Sequence, residues 1–351
     1  MDRSIAAALR LIATMVFAAL AVAAQAASDH AVGMRQASFV DESRPVKASS
    51  GFAGAPVRRI DVMIWYPADI AGRDAALAKD GPWPLVIYSH GTNGAPDNNM
   101  HLVNELVRHG YIVAAPAYPL SSLNTYTQIK MTDTRDVVNQ TKDVSFVIDR
   151  LLADPALGRA INAKRIGTTG HSLGGVTSYF TSFGRQTRDP RIVATAPIGA
   201  GDPVQSALFS DMGLIGTQHA AVSVPVLFLS AEKDIFARTT GRPHAAYARL
   251  EKPKYEIMVR RGTHVWFRDN TDRPAGDKNP DCLFFERYMP QVTMPGCEER
   301  VPLIGPERQQ AITRAAVLTF FDAYLKQDAA ALARLRRFDK DHPETELLKD
   351  D

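Results

Sequence analysis

Gly170-His171-Ser172-Leu173-Gly174 lies between the apolar run Arg165-Ile166-Gly167-Thr168-Thr169 and the stretch Gly175-Val176-Thr177-Ser178-Tyr179-Phe180. The spacing reads G-x-S-x-G between a short strand and a helix, a setting that pushes a serine onto a tight turn with its hydroxyl exposed. Strand and helix cross closely there, so a Cβ two residues before or after Ser172 would collide with neighbouring backbone, and glycine belongs at both places. The chemistry this suits is nucleophilic attack by Ser172 on an acyl carbon. The bland alternative is a helix cap, in which the Ser172 hydroxyl accepts the first backbone N–H groups. A base and an acid at the ends of later strands favour catalysis over the cap.

A serine hydroxyl is hardly ionised at neutral pH, so it needs a base to take its proton, and the base needs an acid to hold its tautomer. With this kind of turn the chain order is serine, acid, histidine. Asp234 ends the run Leu229-Ser230-Ala231-Glu232-Lys233-Asp234, just past an apolar strand, and is the predicted acid. Asp202, in Gly199-Ala200-Gly201-Asp202-Pro203, is the rival, with Glu232 third. Beyond Asp234 the histidines are His244 in a predicted helix, His342 in a charged tail and His264 directly after a strand, which makes His264 the predicted base. His171 reads as a packing or hydrogen-bonding residue of the turn. A tetrahedral intermediate also needs preorganised N–H donors, each contributing about 3 kcal/mol to transition-state stability. The backbone N–H of Leu173 is one candidate, and Thr92 of the loop His90-Gly91-Thr92 is the other, with Gly91 letting that backbone approach the substrate. Trp266 follows the base closely and is expected in the substrate pocket, core packing being the alternative.

The elements that must position these residues alternate strand and helix. Short apolar runs at Pro84–Ser89, Tyr111–Pro116, Ile192–Pro197, Val224–Ser230 and Tyr255–Val259 read as strands buried on both faces, and Arg59–Pro67 as an earlier antiparallel strand. Helical stripes occupy 98–109, 134–152 and 306–325. The expected fold class is α/β, a mostly parallel sheet with helices on both faces and ligands at the carboxyl ends of the strands. With 351 residues, 45% hydrophobic and 23% charged, the chain can bury a sizeable core, and one domain over 27–351 is expected. Within it, 265–305 reads as a flap-like insertion and 328–351 as a charged tail, while 27–57 reads as a surface wrap.

Residues 1–26 carry Arg3 and Arg10, an alanine-rich apolar run and an Ala24-Gln25-Ala26 cleavage pattern, the features of a secretory signal peptide. Export would leave no membrane segment, and would make a Cys282–Cys297 disulfide the expected state of the two cysteines. Closing such a loop contributes roughly 3 kcal/mol in the chain-entropy model. Losing residues 1–26 changes the formal charge of +3 to about +2, too mild to imply nucleic acid as a partner. Arg58-Arg59 and similar basic pairs read as solvated surface. No Cys/His spacing suggests a metal.

Taken together, Val62–Pro67, Ser89-His90-Gly91, His109-Gly110-Tyr111, Gly170–Gly175, Asp234 and Gly262-Thr263-His264 resemble the α/β-hydrolase superfamily. Within it the chain is most similar to exported dienelactone-hydrolase-like and platelet-activating-factor-acetylhydrolase-like serine esterases. The resemblance spans about residues 60 to 325. It departs from dienelactone hydrolases proper, which use cysteine as nucleophile, and the acetylhydrolase-like branch can draw its acid from the earlier strand, where Asp202 stands. The resemblance implies cleavage of a small-molecule or polymeric carboxylic ester through an acyl-enzyme, with no cofactor. An amidase, peptidase or polyester hydrolase using the same three residues, and a catalytically silent binding protein on the same fold, are the other readings. Oligomeric state is not legible.

Overall fold

The computed structural model describes residues 29–49, 51–203, 221–237 and 242–351; the expected signal peptide, 1–26, lies outside them. Ten strands form one sheet: β1 (Ala31–Asp41), β2 (Arg58–Ala68), β3 (Gly72–Arg73), β4 (Trp83–Ser89), β5 (Ile112–Ala117), β6 (Ile161–His171), β7 (Ile192–Ile198), β8 (Val226–Ala231), β9 (Lys254–Val259) and β10 (Thr345–Asp350). Their order is β10-β9-β8-β7-β6-β4-β5-β2-β1-β3. The central six, from β9 to β5, run parallel, and β2 and β10 join antiparallel at either side. The longer helices are α1 (Met100–Arg108), α2 (Leu123–Ile129), α3 (Val137–Leu152), α4 (Leu173–Phe183), α5 (His244–Arg249), α6 (Asp281–Tyr288), α7 (Pro306–Tyr324) and α8 (Ala329–Leu335).

Side chains alternate across a strand, so each apolar run of the parallel sheet feeds two cores. On β4, Val86 and Tyr88 join Leu102, Leu106, Ile312 and Phe320 of α1 and α7, whereas Leu85 and Ile87 join Val144, Val147 and Ile148 of α3. Covering both faces is what leaves the carboxyl ends of β4, β6, β8 and β9 as the place where loops can meet.

Three expectations are corrected. Residues 27–57 do not merely wrap the surface, because Ala31–Asp41 is a full strand paired with β2 from Ala31↔Ala68 to Asp41↔Arg58. Residues 328–351 are more than a charged tail: α8 buries Ala331 and Leu335, Phe338 is buried, and β10 pairs with β9 at the sheet edge. Charge dominates that segment's composition, and the few apolar positions carry its packing. Arg58 is not solvated surface but 1% exposed, and its guanidinium donates to Asp143 at 2.7 Å and to Asp136 at 2.6 Å. This buried trio ties β2 to the start of α3.

Removing Arg58 leaves buried Asp136 without a cation and buried Asp143 with Arg44 alone. Arg58→Ala is therefore expected to lower the unfolding free energy by about 3–5 kcal/mol. Urea unfolding checks it; a loss below about 1 kcal/mol would contradict the tie.

Candidate active site

Ser172 sits between β6 and α4 at φ 57° and ψ −121°. A non-glycine residue held there carries strain of order 1–3 kcal/mol, tolerated only when neighbouring contacts over-determine it. They do: the Ser172 N–H donates to the Ile198 carbonyl at 2.8 Å, and its own carbonyl accepts from Val176 N–H at 3.1 Å. A Cβ added to Gly174 would stand 1.9 Å from the Ser89 carbonyl oxygen, and one on Gly170 would stand 2.5 Å from the Gly174 carbonyl oxygen. The glycine spacing is thus a steric requirement of this crossing. The Ser172 side chain makes no capping hydrogen bond to α4, which removes the cap reading.

His264 follows β9 and Asp234 follows β8, and the structure brings them together: His264 Nδ1 lies 2.8 Å from Asp234 Oδ2, both side chains buried. A carboxylate facing Nδ1 fixes the proton on that nitrogen and leaves Nε2 as an acceptor. The rival acids are engaged elsewhere. Asp202 Oδ2 accepts from the Ala245 and Ala246 N–H groups at the start of α5, at 2.8 and 3.3 Å. Glu232 accepts from Arg261 N–H and pairs with Lys233. His244 faces Glu256 and His342 stacks on Phe338, so neither approaches Ser172. His171 donates from Nε2 to the His264 carbonyl at 3.0 Å, with the two rings 4.4 Å apart. Burial, with the neighbouring His264, holds the His171 pKa well below the usual histidine range. It packs under the base, as expected.

Two residues that the sequence did not single out hold the His264 loop. Asp281, fully buried at the start of α6, accepts from His264 N–H at 3.0 Å, Val265 N–H at 2.9 Å and Ile235 N–H at 3.1 Å. One carboxylate therefore ties the base loop to the acid loop. Burial, and then the nearby Asp234, push its pKa up to about 6. Gln309 of α7 grips Thr263 from the other side, accepting from its N–H at 2.9 Å and donating to its carbonyl at 2.6 Å. Sequence separations of 17 and 46 residues put these contacts beyond any local pattern; an aspartate after Pro280 reads only as a helix start.

Ser172 and His264 line one cavity of about 530 Å³, together with Gly91, Thr92, Tyr126, Phe236, Phe284 and Tyr288. Gly91 is buried and confined, since a Cβ there would meet the His171 carbonyl oxygen at 3.0 Å and Ser172 Cβ at 3.1 Å. Among the described residues, neither the Thr92 nor the Leu173 backbone N–H has a hydrogen-bond acceptor. Trp266 does not line the cavity: it is 3% exposed and donates from Nε1 to the Asp272 carbonyl at 3.0 Å, so the core-packing alternative holds. Its ring points away because Val265–Phe267 forms a 3-10 turn that sends successive side chains in different directions. Cys282 and Cys297 form a disulfide across the segment 265–305, which contributes Phe284, Tyr288, Met289 and Gln291 to the cavity wall. Among the described residues no metal-binding cluster occurs, and no helix is long and apolar enough to cross a membrane.

Two outcomes follow from these environments. Asp281→Asn places an amide N–H₂ where N–H donors converge, so kcat is expected to fall about 100-fold with KM little changed, read from steady-state ester hydrolysis. A stability loss with kcat intact would make Asp281 merely structural. His90 donates to the Gly91 carbonyl and accepts from Tyr118 N–H, and burial pushes its pKa down from 6.5 to about 4. The folded chain thus keeps His90 neutral where the unfolded chain is protonated. Its stabilising contribution is complete above about pH 6.5 and is lost as pH falls toward 4, by about 3 kcal/mol. Asp281, shifted the other way, acts with opposite sign in the lower part of that window, so the test is a difference. His90→Gln should show a shallower fall of unfolding free energy from pH 6.5 to 4 than wild type; parallel profiles would contradict it.

Residues 75–211, which include the His90-Gly91-Thr92 loop and Ser172, match the family model described as Chlorophyllase. Chlorophyllase-1 of Arabidopsis thaliana is 30% identical over 125 residues, which span 35% of this chain and 36% of that relative. The ferulic acid esterase from Streptomyces cinnamoneus superposes with a TM-score of 0.66 at 24% identity, covering 92% of this chain and 98% of that one. That likeness concerns the fold, and it agrees with the mostly parallel sheet flanked by helices. The chain has the α/β-hydrolase fold.

Proposed function

We propose that the protein is an exported serine hydrolase of carboxylic esters in which Ser172 is the nucleophile, His264 the general base and acid, and Asp234 the group that orients His264. The observation that carries this reading is the 2.8 Å bond from His264 Nδ1 to Asp234, with Ser172 on the same cavity in its constrained turn. Ser172 Oγ attacks the ester carbonyl carbon while His264 Nε2 takes the hydroxyl proton. The oxyanion is met by the N–H groups of Leu173 and Thr92. The tetrahedral intermediate collapses, the alcohol leaves with the proton from His264, and an acyl-serine remains. Water then attacks that acyl group, giving its proton to His264, and the acid leaves as Ser172 regains its hydrogen.

Ester rather than amide cleavage is supported by the named relatives, one a chlorophyllase and one a ferulic acid esterase. The four aromatic rings of the cavity suit an apolar or aromatic substituent on the ester. Export is supported by the N-terminal pattern of the sequence and by the Cys282–Cys297 disulfide.

Hydrolysis of 4-nitrophenyl acetate and butyrate by the protein lacking residues 1–26 tests the assignment. Ser172→Ala and His264→Ala are each expected to lower kcat by at least about 10⁴-fold, and the double variant to lose little more, because the two act as a unit. An active Ser172→Ala protein would sink the assignment; turnover of anilides but not esters would move the reading to amides.

A further inference from the structure

The cavity that holds Ser172 has an unbalanced wall. Among the described residues, Lys130 and Arg268 are its charged side chains, and no aspartate or glutamate lines it. Lys130 is exposed at the rim, beside the Tyr126 ring. Arg268 is half-buried, four residues beyond His264, and its backbone is fixed: its N–H donates to the Val265 carbonyl, and its carbonyl accepts from Gln310 Nε2 at 2.7 Å.

Its guanidinium is not satisfied in the same way. The Nε atom is buried without a hydrogen-bond acceptor, and among the described residues no carboxylate lies within 4.0 Å of the group. Two carboxylates are near enough to act on it, yet both are spent elsewhere. Asp269 accepts from the Met100 and His101 N–H groups at the start of α1, and Asp281 from the three N–H groups of the base and acid loops. Tyr88, Tyr288 and His171 also lie near enough to act on it or feel it, and burial pulls its pKa below the ordinary guanidinium value. Arg268 also stands on the wall between the catalytic cavity and an adjoining cavity of about 450 Å³, where Val265, Phe284 and Tyr288 line both. Asp272 and Glu286 line that adjoining cavity, Glu286 pairing with Lys278, but neither pairs with Arg268. A half-buried cation without a paired carboxylate is costly, and a guanidinium presents a planar fork of donors matched to a carboxylate.

We propose that Arg268 is a carboxylate-recognition site for the substrate, so that the preferred substrates are esters that carry a free carboxylate in addition to the bond being cleaved. This rests on the ester-hydrolase reading and narrows it to half-esters of dicarboxylic acids and esters of hydroxy acids. The carboxylate lodges against the fork, beside the mutually packed rings of Phe284 and Tyr288, while the ester carbonyl lies at Ser172.

The test compares kcat/KM for mono-4-nitrophenyl glutarate and its methyl ester, and for 4-acetoxybenzoate and its methyl ester, the two pairs placing the charge on the acyl or the alcohol side. Wild type is expected to favour the charged member of at least one pair about tenfold at low salt, with the ratio shrinking as ionic strength rises. In Arg268→Gln that ratio should fall by about 10–100-fold, and in Arg268→Lys, which keeps the charge without the fork, by less. Because the readout is a ratio, a general loss of activity does not imitate the effect. If Arg268→Gln hydrolyses nothing, Arg268→Lys decides, and a ratio equal to that of wild type contradicts the proposal. Equal rates on charged and neutral members in wild type overturn it while leaving the esterase reading intact. No hydrolysis of any member overturns both. A preference lost in Lys130→Gln but kept in Arg268→Gln places the anion at the rim and overturns it as well.

Discussion

The close approach of α4 to the end of β4, with Gly174 against the Ser89 carbonyl, is the constraint on which the site depends. It leaves no room for a side chain at Gly174, brings the helix start to the end of the strand, and pins Ser172 at positive φ. The strain at Ser172 is held by two backbone hydrogen bonds, one of them to β7, so the neighbouring strand takes part in presenting the hydroxyl. Anything that loosened the sheet at β4, β6 or β7 would let the turn relax. The two apolar cores on either face of these strands therefore serve the site as much as the fold.

The histidine side of the site has no comparable steric constraint, and other contacts hold it. The loop after β9 is held by Gln309 of α7 from one side and Asp281 of α6 from the other, and Asp281 also reaches the acid loop at Ile235. A buried carboxylate accepting three N–H groups gives up hydration and recovers it as directed hydrogen bonds, which fixes geometry more than it adds stability. The disulfide next to Asp281 anchors the same segment, and that segment supplies Phe284 and Tyr288 to the cavity. The cavity wall and the loop that carries His264 are thus parts of one assembly.

What the sequence disclosed follows from the range of the forces involved. The glycines at 170 and 174 and the buried parallel strands were legible because steric exclusion and apolar runs leave local marks. Asp234 and His264 were legible from chain order combined with strand ends. Asp281 and Gln309 were not, because their partners are distant and an aspartate or glutamine at a helix carries no mark of what it grips. Arg58 looked like surface because composition cannot reveal that Asp136 and Asp143 wait across the fold. Residues 345–350 looked like tail because an edge strand needs few apolar residues, and Trp266 was misplaced because a 3-10 turn follows His264 directly.

Covalent labelling tests the central claim most directly. A fluorophosphonate ester, incubated with the folded protein and followed by intact-mass and peptide mass spectrometry, is expected to add one phosphonyl group, on the peptide containing Ser172, at a rate that His264→Ala cuts by orders of magnitude. No adduct on the folded protein, or an adduct on another residue, would contradict the assignment of Ser172 as an activated nucleophile.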